Sequence, residues 1–287
     1  MPRVTVGVST YNRKDYLRES LKSLQNQTYK DYEIIVVDDG SSDRTDLMMR
    51  EEFSDIKYIY KENGGDASAK NCVAAKADSE YLVFNDSDDL FYPNSLECLM
   101  SPLLDSPNCC SYGNYVRIDE KGNELPTRNK LEYYPSGWIF PYLVEHVIVA
   151  GCGFMMPLES FQKIGGYDEK MEVGHDYKMA IEMALRHEFF AINQPVFMRR
   201  RHMGNLSSSI YDKIKVLCDM VAGYCKNHPN EQGLTATVIK RRLAKYHNTL
   251  AREAKKQKMP QEVISQHLDE ALRNQFSVKA FWRSLFW

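Results

Sequence analysis

Three carboxylates occur within four residues, at Asp86, Asp88 and Asp89. Like charges this close repel one another and destabilise a fold unless a cation lies among them. Hard oxygen ligands suit Mg²⁺ or Mn²⁺, and such an ion commonly bridges a diphosphate and neutralises a phosphate leaving group. A solvated acidic turn before the helix near Pro93 has the same spacing, so the pattern alone leaves both interpretations open.

Two further carboxylates, Asp38 and Asp39, follow the apolar run Glu33–Val37. A carboxylate at the end of a buried strand can accept hydrogen bonds from a base or a ribose. The other interpretation is helix capping, with Ser42 or Asp43 as the N-cap of the next helix. Capping accounts for Ser42 and Asp43 better than it accounts for Asp39.

Glycine-rich phosphate loops are absent from the sequence. No GxGxxG follows the first strand, and no GxxxxGK[ST] occurs anywhere in the chain. Both loops bind phosphates through closely spaced backbone N–H groups. Their absence argues against a nicotinamide-dependent dehydrogenase and against a P-loop enzyme.

The elements that must position these carboxylates follow from the apolar runs. Strands are predicted at Val4–Val8, Glu33–Val37, Ile56–Tyr60 and Tyr81–Phe84, and they alternate with helical patterns. This alternation predicts an α/β fold with a mostly parallel sheet and helices on both faces. The polar clusters follow the carboxyl ends of these strands, where open α/β sheets bind ligands. The separated clusters are therefore predicted to meet at one site.

Composition and charge exclude several classes of protein. The chain has 287 residues with a formal charge of -2, which does not favour nucleic-acid binding. Residues 213–287 carry 14 basic and 6 acidic side chains. Because the whole chain has a formal charge of -2, residues 1–212 carry a net negative charge. Seven irregularly spaced cysteines fit a reduced, cytosolic compartment. The N-terminus lacks a signal-peptide pattern, and no apolar window is long enough to span a membrane.

Taken together, the motifs resemble family 2 glycosyltransferases across residues 3–205. The resemblance implies a GT-A fold, in which a nucleotide-binding sheet joins an acceptor-binding half, and inverting transfer from a nucleotide sugar with Mn²⁺ or Mg²⁺. The order and spacing that carry it are those of Val8-Ser9-Thr10-Tyr11-Asn12-Arg13, Val36-Val37-Asp38-Asp39-Gly40-Ser41-Ser42-Asp43, Asn63-Gly64-Gly65 with Ala69-Lys70-Asn71, Asp86-Ser87-Asp88-Asp89, Gly165-Gly166-Tyr167-Asp168-Glu169 and His175-Asp176.

The resemblance also implies roles for individual donor-site residues. Thr10 and Tyr11 are expected to line the base, with Tyr11 stacking on it and Arg13 close by, while Asp39 reads the base edge. Lys70 stands where the family often has Arg, and is expected to contact phosphate or base. Asp86 and Asp88 form the DxD motif at the nucleotide. The metal-binding set implied by the resemblance is Asp88, Asp89 and His202.

Near the end of the resemblance, Arg199, Arg200 and Arg201 precede His202. Positive charge here suits a diphosphate. On a strand, Arg199 and Arg201 would share one side and Arg200 would face the other, so Arg199 and Arg201 are the candidate diphosphate contacts.

Asp176 resembles the general base of the family. A carboxylate there can take the proton of an acceptor hydroxyl as the new bond to C1 forms. The family usually has Glu-Asp at this place, whereas this chain has His175-Asp176. His175 either tunes the base or is a neutral residue at the start of a helix.

The expected domains are a catalytic domain at 1–212, divided into a nucleotide-binding half (1–104) and an acceptor-binding half (105–212), and a basic helical region at 213–287. The basic surplus and the terminal aromatic residues favour peripheral contact with anionic lipid. Packing of these helices on the catalytic domain, or on a second copy in a homo-oligomer, stays open.

The function expected from the resemblance is sugar transfer from a nucleotide-diphosphate sugar, most often a UDP-sugar, to a glycan or lipid-linked acceptor. The expected setting is bacterial cell-surface polysaccharide synthesis at the cytosolic face of the inner membrane. Two other functions are weighed: a sugar nucleotidyltransferase, and a catalytically silent nucleotide-sugar binding module. The first expects a glycine-rich basic loop after the first strand, where this chain has Ser9-Thr10-Tyr11-Asn12-Arg13.

Overall fold

The computed structural model describes residues 1–126, 134–146, 151–202 and 209–275. Within them one sheet has the strand order β3-β2-β1-β4-β7-β6-β8-β5. The predicted α/β fold class is confirmed. The strands are β1 Val4–Thr10, β2 Tyr32–Asp38, β3 Lys57–Tyr60, β4 Tyr81–Asp86, β5 Leu90–Phe91, β6 Cys110–Ile118, β7 Phe154–Pro157 and β8 Phe189–Arg200.

The four predicted strands form the parallel half of the sheet. β1 pairs in parallel with both β2 and β4, and β2 pairs in parallel with β3. β1 is buried along its whole length, as expected for a central strand covered on both faces. The carboxyl ends of these strands therefore lie along one edge of the sheet.

The other half of the sheet is mixed. β7 runs antiparallel to β4 and to β6, and β5 runs antiparallel to β8. β6 and β8 are parallel, with register shifts around Asn114. This arrangement brings the end of β8 beside β5, directly after the segment of residues 86–89 that contains Asp86, Asp88 and Asp89, here called the acidic loop.

Helices cover both faces of the sheet. They are α1 Lys14–Gln25, α2 Thr45–Glu52, α3 Asp66–Lys76, α4 Ser95–Met100, α6 Leu158–Ile164 and α7 His175–Ala184. Alternate residues of β1 point to opposite faces. Val6 belongs to a core cluster with Leu17 and Leu21 of α1. On the other face α3 lies so close to β1 that a Cβ at Gly7 would come 2.6 Å from a Val73 methyl.

Contacts within the chain divide it into two compact units. The sheet unit comprises Met1–Ile139 and Ile148–Asn205, and the helical unit comprises Phe140–Val147 and Leu206–Trp287. The helical unit contains α5 Phe140–Glu145, α8 Ile210–Asn227, α9 Ala236–Lys256 and α10 Gln261–Asn274. No described helix is both long and apolar enough to cross a membrane. The terminal aromatic segment that favoured lipid contact lies outside the described residues.

Candidate active site

Asp39 organises the loop that follows β3. Its buried carboxylate accepts hydrogen bonds from the backbone N–H groups of Gly64 (2.9 Å) and Gly65 (2.7 Å). The Lys61 ammonium lies 2.7 Å from the same carboxylate. Gly65 has a φ of 90°, which favours glycine at this position. A single carboxylate thus links the end of β2 to the start of α3.

Asp38 and Asp43 hold local structure around Asp39. Asp38 accepts hydrogen bonds from the Ser41 N–H (2.8 Å) and the Tyr58 hydroxyl (2.6 Å). The prediction of Ser42 or Asp43 as the N-cap is wrong, because Arg44 occupies that position with a φ of 66°. The Asp43 carboxylate nevertheless accepts from the Lys14 N–H at the start of α1 (2.9 Å). The same carboxylate also accepts from the Thr45 N–H at the start of α2 (3.2 Å), so Asp43 interacts with the N-termini of both helices.

Three residues at the end of β1 and in the loop that follows it, Thr10, Tyr11 and Arg13, were predicted to contact the nucleotide. Tyr11 is half exposed, and Thr10 is buried with a hydroxyl that has no hydrogen-bond partner among the described residues. The Arg13 guanidinium donates to Asp88 Oδ2 at 2.9 Å. Arg13 thereby connects the first loop to the acidic loop.

The acidic loop directs its carboxylates to different partners. Asp88 Oδ2 is 2.8 Å from His202 Nε2 and also accepts from Arg13. Asp89 Oδ1 accepts from the Arg200 N–H at 2.9 Å, and Asp89 Oδ2 is 3.5 Å from the Cys152 thiol. Asp86 is the most exposed of the three. Asp88 and His202, which are distant in sequence, are thus brought into direct contact.

The charges in the loop are close enough to shift the pKa of Asp89. Burial, followed by the charges of Asp86 and Asp88, raises the pKa of Asp89 to about 8. Within the described residues Asp86, Asp89 and Cys152 can bring ligand atoms within 4.8 Å of one another. Burial raises the pKa of the Cys152 thiol, which disfavours the thiolate that would bind a metal. Carboxylate oxygens suit a hard divalent cation. Among the described residues the predicted set of Asp88, Asp89 and His202 does not bring its ligand atoms this close together.

Arg200 was not among the predicted site residues, but it contacts the acidic loop. Its buried guanidinium donates to the carbonyls of Asp88 (3.0 Å) and Glu120 (2.8 Å) and lies 2.6 Å from Glu19. Arg199 and Arg201 are exposed. The sequence signal was the alternation of side chains along a strand, which turns Arg200 to the opposite side from Arg199 and Arg201. An arginine that faces inward must find carbonyl or carboxylate partners. Arg200 therefore fixes the backbone of the acidic loop.

Lys70 joins the acidic loop to α7. The side chain is almost completely buried, and its ammonium lies 2.9 Å from Asp66, 3.2 Å from Asp86 and 3.4 Å from Asp176. Burial lowers the pKa of Lys70, but the three carboxylates outweigh that effect and raise it well above its ordinary value. Lys70 is therefore charged, and it holds Asp86 and Asp176 on the same cation.

Asp176 lies in the first turn of α7, after Gly174 in the left-handed region. A Cβ at Gly151 would come 2.6 Å from Asp176 Oδ2, so only a glycine leaves room for the carboxylate. Asn71 accepts from the Tyr167 N–H (2.7 Å) and donates to the Tyr167 carbonyl (2.9 Å). Asn71 thereby ties α3 to the loop that leads into α7.

Six of the predicted site residues therefore form two groups of contacting side chains. Arg13, Asp88 and His202 form one contact group, and Lys70, Asp86 and Asp176 form another. Asp39 belongs to the neighbouring loop at the same sheet edge. Arg199 and Arg201 form no ion pair within the described part of the chain. The roles inferred for all of these residues stay predictions.

Known proteins are similar to this chain in sequence or in fold. The chain is 31% identical to an uncharacterized glycosyltransferase of Rickettsia prowazekii, over 80% of this chain and 74% of that one. It is 26% identical to chondroitin synthase of Pasteurella multocida, over 75% of this chain and 22% of the synthase. Among solved structures, S. aureus TarS 1–349 in complex with UDP-GlcNAc superposes with a TM-score of 0.71 at 16% identity, covering 95% of this chain and 81% of TarS 1–349.

The sequence profile described as "Glycosyl transferase family 2" matches residues 5–165. The match covers more than half of the chain and includes β1 to β7, the acidic loop and Lys70. The chain therefore belongs to glycosyltransferase family 2.

Proposed function

We propose that the chain transfers a sugar, with inversion, from a UDP-sugar to a hydroxyl of a glycan or lipid-linked acceptor. The observation that carries the proposal is the shared contact of Lys70 with Asp86 (3.2 Å) and Asp176 (3.4 Å). A donor-binding carboxylate and a candidate base are thereby held on the same side chain. Structures of S. aureus TarS with UDP and with UDP-GlcNAc support a uridine donor.

In this proposal the first two strand ends bind the nucleoside. The exposed ring of Tyr11 offers a face on which a base can stack. The Thr10 hydroxyl supplies a buried polar group that a base can satisfy. Asp39 and the loop it holds form the neighbouring wall, and Asp86 and Asp88 face the ribose and the diphosphate.

Asp88, Asp89 and His202 would hold Mn²⁺ or Mg²⁺, with Asp86 beside them. When bound, such an ion neutralises the negative charge that develops on the departing diphosphate. Arg13 shares the Asp88 carboxylate and keeps it oriented (2.9 Å). The exposed Arg199 and Arg201 are the side chains proposed to contact the diphosphate.

Asp176 is the proposed general base. A hydroxyl is a poor nucleophile until its proton is removed, so the Asp176 carboxylate accepts the proton as the acceptor oxygen forms its bond to C1. The bond between C1 and the diphosphate oxygen breaks at the opposite face, and the configuration at C1 inverts. The proton stays on Asp176 until it is released to solvent.

The proposed setting is cell-surface polysaccharide synthesis at the cytosolic face of a bacterial membrane. Chondroitin synthase and hyaluronan synthase of Pasteurella multocida are among the relatives. A basic row on α9 supports peripheral binding to anionic lipid, since its members are exposed and recur at intervals of four, seven and four residues along one helix face. The row consists of Arg241, Lys245, Arg252 and Lys256.

Calorimetric titration of UDP, GDP and dTDP, with Mn²⁺ and then with a chelator, tests the donor assignment. We expect metal-dependent binding of UDP and loss of the metal effect in Asp88→Ala. If Asp88→Ala binds UDP with the affinity of the unaltered protein, both with and without Mn²⁺, the acidic loop is an ordinary turn. Binding of UDP without any turnover of UDP-sugars would instead support a silent binding module.

A further inference from the structure

Lys70 and His175 contact the same carboxylate oxygen. The Lys70 ammonium lies 2.9 Å from Asp66 Oδ2, and His175 Nε2 lies 3.0 Å from the same oxygen. Because Asp66 and His175 are 109 positions apart, only the fold brings these side chains together.

Asp66 is built into the start of α3. The Ser9 hydroxyl at the end of β1 donates to Asp66 Oδ1 at 2.5 Å. Burial raises the pKa of Asp66, but the Lys70 charge and the hydrogen bonds of His175 and Ser9 outweigh it and hold the pKa well below its usual range. Asp66 is therefore a fixed anion with a partner on each side.

Both partners of Asp66 also approach Asp176. Asp176 Oδ1 lies 3.4 Å from the Lys70 ammonium and 3.5 Å from His175 Nε2. Its other oxygen lies against Gly151, where a Cβ would come within 2.6 Å. The Asp176 carboxylate is thus held between a glycine and two side chains that Asp66 anchors.

The surroundings of His175 favour its protonated form. Its imidazole is buried, and its ring packs edge-on against Tyr167 at a centroid distance of 5.2 Å. Burial lowers the pKa of His175, but the Asp66 hydrogen bond and the Asp176 charge raise it above its ordinary value, against the opposing charge of Lys70. The charged groups that act on the ring are therefore Asp66, Lys70 and Asp176.

We infer that Asp66, Lys70 and His175 form a positioning unit that orients Asp176, and that His175 is required because Asp66 is present. The inference rests on the proposed role of Asp176 as the base. A Glu at position 175 would add a fourth carboxylate around the single Lys70 cation. Asp66→Asn in the same chain would restore the number of carboxylates around Lys70 and return a hydrogen-bond donor to the pair.

The test is a double-mutant cycle of His175→Glu and Asp66→Asn, with His175→Gln as the uncharged control. Release of UDP from UDP-GlcNAc in the presence of a glycan acceptor mixture is followed across pH. We expect His175→Glu to lower kcat on the order of 100-fold with little change in the donor KM, because a displaced base costs about that much. Adding Asp66→Asn to His175→Glu should recover at least about tenfold of the loss.

Additive losses in the cycle, or a kcat of His175→Glu equal to that of the unaltered protein, would overturn the inference.

A second readout needs no turnover: the imidazole of His175 is titrated by NMR in the unaltered protein and in Asp66→Asn. We expect a raised pKa of His175 that falls when Asp66 is neutralised, and an unchanged pKa would also overturn the positioning unit. If the unaltered protein binds no donor and transfers no sugar while this shift is seen, the proposed function fails and the Asp66 to His175 pairing stands.

Discussion

The sheet unit and the helical unit each contain a network of buried polar groups, and the two networks differ in charge. At the sheet edge the buried Lys70 is charged and contacts three carboxylates at 2.9–3.4 Å. In the helical unit a row of neutral groups runs from α8 through α10 to α9. Tyr211 lies 2.8 Å from His267 Nε2, and the Nδ1 atoms of His267 and His247 are 3.2 Å apart.

The helical row is satisfied when both imidazoles are neutral. Tyr211 can then donate to His267 Nε2, and the His267 Nδ1–H can donate to His247 Nδ1. Burial lowers the pKa of both histidines, and for His267 the neighbouring His247 lowers it further. The sheet edge therefore gathers several buried charges around one cation, whereas the helical unit buries this neutral row as well as the charged Arg242 and Glu253 of α9.

Removal of the buried cation should produce the largest change in stability. We expect Lys70→Met to lower the free energy of unfolding by about 3 kcal/mol, since it leaves carboxylates without their partner in a partly dry site. Lys245→Met on the exposed face of α9 is the matched control and should stay within about 0.5 kcal/mol. Equal losses in urea denaturation of the two variants would contradict the contrast between the units.

A glycine-to-alanine substitution should lower the transfer rate in the sheet unit and raise stability in the helical unit. Gly151→Ala places a methyl group against Asp176 Oδ2 and should lower the transfer rate about 100-fold, because a base displaced by about 1 Å loses that much. Gly223→Ala lies inside α8 with nothing within 4 Å, and should stabilise the protein by about 0.5–1 kcal/mol. Steady-state kinetics and thermal denaturation check the pair, and an unaffected rate in Gly151→Ala would show that Asp176 is not confined there.

Acidification should weaken the helical unit through its histidines. A neutral imidazole with a lowered folded pKa binds fewer protons than the unfolded chain below about pH 6.5. Stability is therefore fully present above that pH and is lost as the pH falls through the lowered pKa values of His247 and His267. Urea denaturation between pH 8 and pH 5 measures the effect, with His247→Gln expected to flatten the profile; a steeper loss in that variant would refute the account.

The smallest expected effect concerns the basic row on α9. Glu145 and Glu253 contact Arg241, Arg252 and Lys256, so part of its charge is already paired. Reversal of Lys245 to Glu should weaken binding to vesicles with anionic headgroups by at least about 1 kcal/mol, or roughly fivefold. Lys22→Glu, on the exposed side of α1, is the matched control. Equal losses in sedimentation assays of both variants would show that α9 has no special part in lipid binding.

The sequence predicted the parallel half of the sheet because each strand there is an apolar run that ends in a polar cluster. The edge at which Asp39 and Asp86 lie follows from that pattern alone. The mixed half was not predictable in detail, because the register of β6 against β8 shifts around Asn114. That register decides that Arg200 faces inward to the Asp88 carbonyl.

The contacts around Asp66 also could not be derived from sequence. Asp66 precedes a run rich in alanine and forms no motif of its own. Its spacing of four residues from Lys70 is a common helical ion pair, whereas its contact with His175 depends on how α7 packs. A local pattern therefore located the acidic loop, the family resemblance located the candidate base, and tertiary packing determined what connects them.

A comparison of the unaltered protein with Asp176→Asn tests whether Asp176 is the general base. Sugar transfer from UDP-GlcNAc to a glycan acceptor mixture is measured with Mn²⁺, together with calorimetric affinity for UDP. We predict that Asp176→Asn lowers the transfer rate by about 10² to 10⁴-fold while the UDP affinity stays within twofold, because a general base acts on the reaction and not on donor binding. Transfer by Asp176→Asn at the rate of the unaltered protein would contradict the account.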